Sequence, residues 1–139
     1  MRQALHHSHN LKEFCKEAGR VLKSGGFFIA TREHVISKKE DLNIFLQDHP
    51  LHKFYGGENA FLLNEYVEAI EKGNMKIIHT LKPFESDINL FPYSLDDFRI
   101  RILKYAEIVY GFFPWIFVFS LKNIFNRPGR SYSFVAKKI

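Results

Sequence analysis

The chain has 139 residues, of which 46% are hydrophobic, 16% aromatic and 25% charged. This length predicts one domain, and the apolar content excludes a disordered chain, which would be poorer in apolar and aromatic residues. The formal net charge of +5 is spread along the sequence, with acidic residues between most of the basic ones. We therefore expect no nucleic-acid binding, which would cluster the basic charge on one face.

The N-terminus predicts a cytoplasmic protein. Residues 1–7 contain no apolar segment of the kind that a signal peptide requires. The longest apolar run, Ile108 to Leu121, is interrupted by Gly111 and Pro114 and is shorter than the ~20 residues of a membrane span. The single Cys15 cannot form an internal disulfide and is expected to be a small buried residue in a reducing compartment. Membrane contact is not expected.

The first predicted elements form an α/β unit. Apolar residues recur at helical spacing over residues 10–23, with Asn10 as the capping residue and Ser24-Gly25-Gly26 as the stop. Phe27–Thr31 follows at once and is apolar without alternation. Such a run is typical of a strand that is covered on both faces.

Residues 37–74 predict helices around a polar segment. Ser37-Lys38-Lys39-Glu40 has the pattern of a capping box and opens a helix that Pro50 limits. His49–Asn59 is rich in polar and aromatic residues and is expected to be irregular. A further helix is predicted over about residues 62–72.

The C-terminal part predicts two strands separated by a helix and an aromatic run. Met75–Leu81 and Ser131–Lys137 are the strands, and Ser94-Leu95-Asp96-Asp97 begins the helix. The run Tyr110–Leu121 has no clean period. It has three open interpretations: buried core, a cover for an apolar substrate or a membrane surface, and an exposed patch that pairs with another chain.

Three stretches together resemble a known family. Ala4-Leu5-His6-His7 stands at the right distance before Arg20-Val21-Leu22-Lys23-Ser24-Gly25-Gly26, in which Ser24 replaces the usual proline. The third stretch combines His49-Pro50-Leu51-His52 with Tyr55-Gly56-Gly57-Glu58-Asn59-Ala60. The sequence is thereby similar to the C-terminal part of class I, type 11-like, S-adenosylmethionine-dependent methyltransferases.

The resemblance implies an α/β fold, the C-terminal half of a Rossmann-like methyltransferase sheet. Phe27–Thr31 would be the fifth strand, and the two C-terminal strands would form the antiparallel sixth and seventh pair. The single partial domain, 1–139, would comprise a core unit (1–36), a helical cap or lid (37–74) and a terminal strand pair with an aromatic helical insertion (75–139).

The family's glycine-rich cofactor loop has no counterpart in the sequence. Gly25-Gly26 and Gly56-Gly57 are the glycine pairs, and neither is predicted to follow a strand and open a helix. We therefore expect the half that binds S-adenosylmethionine to be absent, through a truncated gene, a split gene or an expressed fragment. The chain alone is not expected to bind the cofactor.

The candidate catalytic residues are Glu33, His34 and His7. Glu33 and His34 end the predicted strand, where ligands gather in open α/β sheets, and could orient an acceptor and take its proton. The family position suggests His7 as an acid or base, and Leu5 and His6 as neighbours of the cofactor. The alternative interpretations are a solvated strand end and a helix-entry loop in which His9 and Asn10 only cap.

The candidate substrate-binding residues belong to a polar cluster that would form a lid over the acceptor. The alternative is an ordered loop whose polar groups satisfy one another. No metal is expected, because Pro50 separates the two histidines of the cluster and no carboxylate pair is nearby in sequence. The cluster comprises His49, His52, Tyr55, Glu58 and Asn59.

The resemblance implies methyl transfer from S-adenosylmethionine to a small-molecule or sugar-like acceptor, within a larger or split enzyme. The alternative is a non-catalytic interaction module or truncated remnant, and a third hypothesis is a peripheral membrane module that uses the Phe-rich segment. The exposed edge of Phe27–Thr31 would pair with a second copy or with a separate N-terminal half.

Overall fold

A computed structural model describes residues 1–110 and 127–139. The aromatic run therefore lies outside the described residues, apart from the backbone of Tyr110. The elements in chain order are a 3-10 turn at Leu5–His7, helix α1 (Leu11–Val21), strand β1 (Phe27–Ile36), helices α2 (Asp41–Asp48) and α3 (Pro50–Tyr55), strand β2 (Phe61–Leu62), helix α4 (Leu63–Lys72), strand β3 (Met75–Leu81), helices α5 (Asp87–Leu90) and α6 (Leu95–Tyr110), and strand β4 (Arg130–Lys138).

The strands form one mixed sheet in the order β2-β1-β4-β3. Strand β1 is parallel to β2 and antiparallel to β4, and β3 is antiparallel to β4. The predicted terminal antiparallel pair is thus confirmed, and β3 has the predicted bounds. The predicted strand Phe27–Thr31 is also confirmed, although it continues as far as Ile36.

The outer edge of β1 was predicted to be bare, but residues 1–3 cover part of it. Arg2 forms a parallel bridge with Thr31. The Thr31 N–H donates to the carbonyl of Met1 over 3.1 Å, and the amino group of Met1 donates to the carbonyl of Ile29 over 2.8 Å.

One face of the sheet carries the main core. Helices α1 and α4 pack together on this face. The ring of Tyr66 on α4 stacks on the ring of Phe134 on β4, with their centroids 5.2 Å apart. On the opposite face, Phe27 and Ile29 remain 56% and 49% exposed. The buried core residues are Leu5, Leu11, Cys15, Phe28, Ala30, Val35, Tyr66, Ala69, Ile70, Met75, Phe134 and Ala136.

Two predicted details between residues 37 and 59 are wrong. The capping box does not form: α2 begins at Asp41, and the hydroxyl of Ser37 instead accepts a hydrogen bond from Arg130. The stretch His49–Asn59 is not wholly irregular, because Pro50 begins helix α3. Proline suits the first helical position, where its missing N–H costs no hydrogen bond.

No helix within residues 1–110 and 127–139 combines the length and the apolar character that a membrane crossing requires.

Candidate functional site

The candidate site lies at the C-terminal end of β1, where a β-bulge changes the alternation of side chains. Phe28 and Ala30 face the core, and after the register shift between Ala30 and Glu33 the core positions become Glu33 and Val35. Within the bulge Arg32 has a φ of 60°, and its N–H donates to the hydroxyl of Ser133 over 3.1 Å. The bulge thus turns a carboxylate into the protein interior.

Glu33 holds the turn that precedes α1. Its carboxylate accepts hydrogen bonds from the N–H groups of Ala4 (3.3 Å) and His6 (3.0 Å) and from Nδ1 of His6 (2.7 Å). Burial, the largest single influence, would raise the pKa of Glu33, but the hydrogen bonds from His6 and Ala4 together lower it below the ordinary value. Glu33 is therefore an ionised, fully buried anchor for the turn.

Three histidines near this anchor have the same hydrogen-bonded arrangement. In His6, His7 and His34, Nδ1 faces an oxygen that can only accept, so this nitrogen carries the proton and a neutral ring keeps its lone pair on Nε2. The partners, in the same order, are Glu33 Oε2 at 2.7 Å, the Gly57 carbonyl at 2.9 Å and the Gly129 carbonyl at 3.0 Å.

The carboxylate of Glu58 lies at the centre of these rings. Its side chain is 6% exposed, and its Oε2 lies 3.5 Å from Nε2 of His6 and 3.8 Å from Nε2 of His7. Its Oε1 lies 3.9 Å from Nδ1 of His49. Two triads share Glu58, namely His6 with His7 and His34 with His49, and each offers one ligand atom per residue within 4.8 Å of the others.

His34 is neutral at physiological pH. Burial is the main cause that lowers its pKa to about 4, and the nearby rings of His6 and His49 lower it further, against opposing effects of the Gly129 carbonyl and Glu58. The ring lies edge-on to His6 and His49, with centroids 4.5 Å and 5.4 Å apart. A neutral ring in this position can accept a hydrogen bond through Nε2.

A cavity of about 420 Å³ opens beside His34. Its walls come from α2, from α5 and the residues before it, and from the turn that leads into β4. A mostly apolar lining with a few polar groups is typical of a small-molecule site. The lining includes His34, Ile44, Phe45, His49, Asn89 and Leu90.

The structure separates the five predicted substrate-binding residues. His49 lines the cavity, whereas Glu58 faces the histidines. His52 lines a shallow depression on the other side of α2, and Tyr55 is 84% exposed. The amide oxygen of Asn59 accepts from the N–H of Ala60. Only His49 is therefore placed directly in the cavity wall.

Sequence reasoning missed Asn89 as a residue of this site. Asn89 is buried and connects three elements: its Nδ2 donates to the carbonyls of Leu81 and Lys82, and its Oδ1 accepts from the hydroxyl of Ser133 over 2.6 Å. Asn89 lies on the short helix α5, and the side chain of Ser86, the N-cap residue of this helix, forms no capping hydrogen bond. No local pattern in the sequence marks this position.

The residues predicted to lie beside the cofactor, Leu5 and His6, are both buried. Neither glycine pair forms the glycine-rich loop of a nucleotide-type cofactor site. Gly25-Gly26 precedes β1, and Gly56-Gly57 follows α3, so neither pair connects a strand to a following helix. The residues described here thus do not, by themselves, fit the S-adenosylmethionine site that the family builds.

No protein-family model and no curated protein matches the sequence, but solved structures do match the fold. A Galdieria sulphuraria protein assigned as a sarcosine dimethylglycine methyltransferase is 16% identical with a TM-score of 0.52, and the match covers 99% of this chain and 50% of that one. Haemonchus contortus phosphoethanolamine N-methyltransferase 2, in complex with S-adenosyl-L-methionine, is 18% identical with a TM-score of 0.52 and coverages of 99% and 32%. The (4+2)-cyclase SpnF is 15% identical with a TM-score of 0.50 and coverages of 99% and 47%.

These identities establish the fold and no more. The chain has the α/β fold of the C-terminal part of a Rossmann-like, class I methyltransferase, as predicted. It spans about half the length of the first of these structures, 50%. The cyclase shows that this fold also occurs in a protein named for a different reaction.

Proposed function

We propose that this chain forms the acceptor-binding part of an enzyme that transfers a methyl group from S-adenosylmethionine to a small-molecule or sugar-like acceptor. The observation that carries the proposal is the cavity beside His34, at the C-terminal end of β1. Ligands of open α/β sheets bind at this end of the strands. The likeness to methyltransferase folds supports the same assignment.

The proposed roles follow from the position of each group. Nε2 of the neutral His34 would accept a hydrogen bond from the acceptor's hydroxyl or amine and so orient the nucleophile. Since the pKa of His34 is about 4, its main contribution would be orientation and not strong basicity. Phe45 and Leu90 would exclude water, and His49 would supply a second polar contact. His7, whose ring faces Glu58, remains a candidate acid or base.

S-adenosylmethionine, when bound, would supply the methyl group as an electrophile. Because the described residues provide no glycine-rich cradle, we propose that a further segment or chain supplies the cofactor site. Leu5 and His6 would then form part of the wall beside it. Calorimetry on the chain alone is expected to show no binding of S-adenosylmethionine or S-adenosylhomocysteine. One-to-one binding would contradict this division of the site and would also exclude a non-catalytic module.

The cavity is tested with a substitution that narrows it. Ile44 lines the cavity and is exposed, so Ile44→Trp should reduce the cavity and leave the core intact. A panel of small polar and sugar-like compounds is screened by ligand-observed NMR against wild type, Ile44→Trp and the control Ile78→Trp. Ile78 is exposed on β3, away from the cavity. Compounds should lose binding in Ile44→Trp alone, and equal binding to all three proteins would refute the acceptor site.

A non-catalytic interaction module is the second candidate function. The lack of a glycine-rich cradle among the described residues favours it, and the cyclase of similar fold shows that the fold does not fix the chemistry. In that case the panel would find no compound whose binding depends on Ile44.

The outer edge of β1 is the proposed contact with a partner. Residues 1–3 pair with β1 only around Ile29 and Thr31, and the exposed ring of Phe27 lies next to the uncovered part of the strand. We propose that a second copy, or a chain carrying the cofactor site, adds a strand there.

A further inference from the structure

We propose that His6, His7 and Glu58 bind one divalent transition-metal ion of the Zn²⁺ class. This site is distinct from the acceptor cavity, and its existence does not depend on methyl transfer. With the ion bound, Nε2 of His7 would be a ligand and could not also act as an acid or base. In the sequence, the candidate metal ligands were His49 and His52, which lie three residues apart. No metal was expected there, because Pro50 separates them and no carboxylate pair is nearby. The fold instead brings Glu58 to two histidines that precede it by about fifty residues.

The distances suit a tetrahedral ion. Oε2 of Glu58 lies 3.5 Å from Nε2 of His6 and 3.8 Å from Nε2 of His7. Ligand atoms that each lie about 2.0–2.1 Å from Zn²⁺ are about 3.3 Å apart in a tetrahedron. The two distances to Glu58 thus exceed this spacing by a few tenths of an ångström, and the triad offers one ligand atom per residue within 4.8 Å of the others.

The outer contacts of both histidines are those of metal ligands. A metal-binding histidine usually donates its other ring N–H to a carboxylate or a backbone carbonyl, which fixes the tautomer and the direction of the ring. Nδ1 of His6 donates to Glu33, and Nδ1 of His7 donates to the carbonyl of Gly57. In the neutral rings Nε2 therefore carries the lone pair, and each Nε2 lies within 3.8 Å of the Glu58 carboxylate.

The other triad, His34 and His49 with Glu58, is less well prepared. Nδ1 of His49 is the nitrogen that lies 3.9 Å from Glu58. Within the described residues no hydrogen bond fixes the ring of His49, whereas Glu33 fixes that of His6. The first triad also has an accessible side, because the side chain of His7 is 43% exposed while those of His6 and Glu58 are buried. Three protein ligands and one open position are typical of catalytic zinc sites.

Two imidazoles and one carboxylate define the class of ion. Imidazole nitrogen suits Zn²⁺, Co²⁺, Ni²⁺ and Cu²⁺, whereas Mg²⁺ and Ca²⁺ prefer oxygen ligands throughout. The ion would also lie near the acceptor cavity, because the ring of His34, which lines the cavity, is 4.5 Å from the ring of His6.

The test measures metal binding by the whole chain and needs no enzymatic activity. The chelator-treated protein is titrated with Zn²⁺ by calorimetry, and a Co²⁺-loaded sample is examined for ligand-field bands in the visible spectrum. We expect one equivalent of Zn²⁺, a tetrahedral Co²⁺ spectrum and a higher melting temperature with bound metal, because the ion binds the folded state. The variants His7→Ala and Glu58→Gln should each weaken binding by about tenfold or more.

Matched controls are His9→Ala and Glu71→Gln, which alter exposed residues outside the cluster. Both should bind Zn²⁺ like wild type. Because His7 is partly exposed, His7→Ala should keep its fold, which far-UV circular dichroism checks. Absence of Zn²⁺ binding by wild type, or equal affinity in wild type, His7→Ala and Glu58→Gln, would refute the site. That result would leave the acceptor cavity untouched, so the two proposals fail separately.

Discussion

Gly19 lies where helix α1 comes closest to the end of α4. A Cβ atom added there would overlap the backbone carbonyl of Gly73, and one added to Gly73 would overlap the carbonyl of Cys15. Neither backbone segment can move far, because Cys15 and Gly73 are themselves buried. The absence of a side chain at both positions is therefore what allows the two segments to touch.

The first prediction is that Gly19→Ala destabilises the protein. Helix propensity alone would make alanine more favourable by about 1 kcal/mol, so the sign of the effect distinguishes packing from propensity. We expect the free energy of unfolding to fall by about 1–3 kcal/mol, the usual cost of overpacking, as measured by urea denaturation. Glu17→Ala, at an exposed position of the same helix, is the control and should change stability little. A more stable Gly19→Ala protein would contradict the close approach.

The second prediction concerns the buried thiol of Cys15. Burial raises its pKa to about 12, and only the thiolate reacts with alkylating reagents. At pH 8 roughly one thiol in ten thousand would be ionised in the folded protein. Iodoacetamide should therefore label Cys15 far more slowly in the native protein than in urea, as followed by mass spectrometry. Equal rates in the two conditions would show that this part of the core opens readily.

At the scale of single residues, the sequence predicts what depends on neighbours along the chain. The side chain of Asn10 caps α1 by accepting from the N–H of Glu13, as the pattern indicates. The hydroxyl of Ser94 likewise accepts from the N–H of Asp97 at the start of α6. Ser37 begins no helix although its pattern resembles a capping box, and its hydroxyl instead accepts from a distant arginine, Arg130.

At the scale of elements, α5 depends on a chain of hydrogen bonds that also holds the β-bulge. The N–H of Arg32 donates to the hydroxyl of Ser133, which in turn donates to Asn89. Asn89 then donates to the carbonyls of Leu81 and Lys82 at the end of β3. One hydroxyl on β4 therefore connects β1, α5 and β3.

The third prediction is a coupling between Ser133 and Asn89. Each of the variants Ser133→Ala and Asn89→Ala should lower the free energy of unfolding by about 1–3 kcal/mol, because buried partners are left unsatisfied. The double variant should lose less than the sum by about 0.5 kcal/mol or more, since both residues belong to one network. Chemical denaturation of the four proteins measures this cycle. Additive losses would mean that the hydroxyl and the amide act independently.

The elements themselves were largely predictable, but their irregularities were not. Strand β3 has the predicted bounds, and α1 and α4 differ from their predicted bounds by only a few residues, because glycine stops and apolar periodicity are local signals. The bulge in β1 depends on a hydroxyl about a hundred residues away. No local signal predicts that Glu33 turns inward, although the residue was expected to be important.

At the scale of the molecule, the resemblance predicted the antiparallel pairing of the two terminal strands, whereas the cluster around Glu58 was not predicted. Its members come from the turn before α1, from β1, from the start of α3 and from the loop after α3. The spacing of residues within one segment of sequence cannot predict that side chains from four separate segments lie close together. By sequence spacing only His49 and His52 form a candidate pair, whereas in the structure Nδ1 of His49 lies 3.9 Å from Glu58.

The fourth prediction is that the chain self-associates through the outer edge of β1. Residues 1–3 cover only part of this edge, and Phe27 and Ile29 are 56% and 49% exposed on the adjacent face. An exposed edge strand with apolar side chains recruits further strands, and a lysine on such a strand prevents this because its charge would have to be buried. Light scattering after size exclusion should therefore find wild type larger than a monomer and Ile29→Lys monomeric. The control is Ile78→Lys, since Ile78 is equally exposed, at 51%, but lies on β3 at the other edge of the sheet. A monomeric wild type would refute the contact, and dissociation by Ile78→Lys alone would assign it to β3 instead.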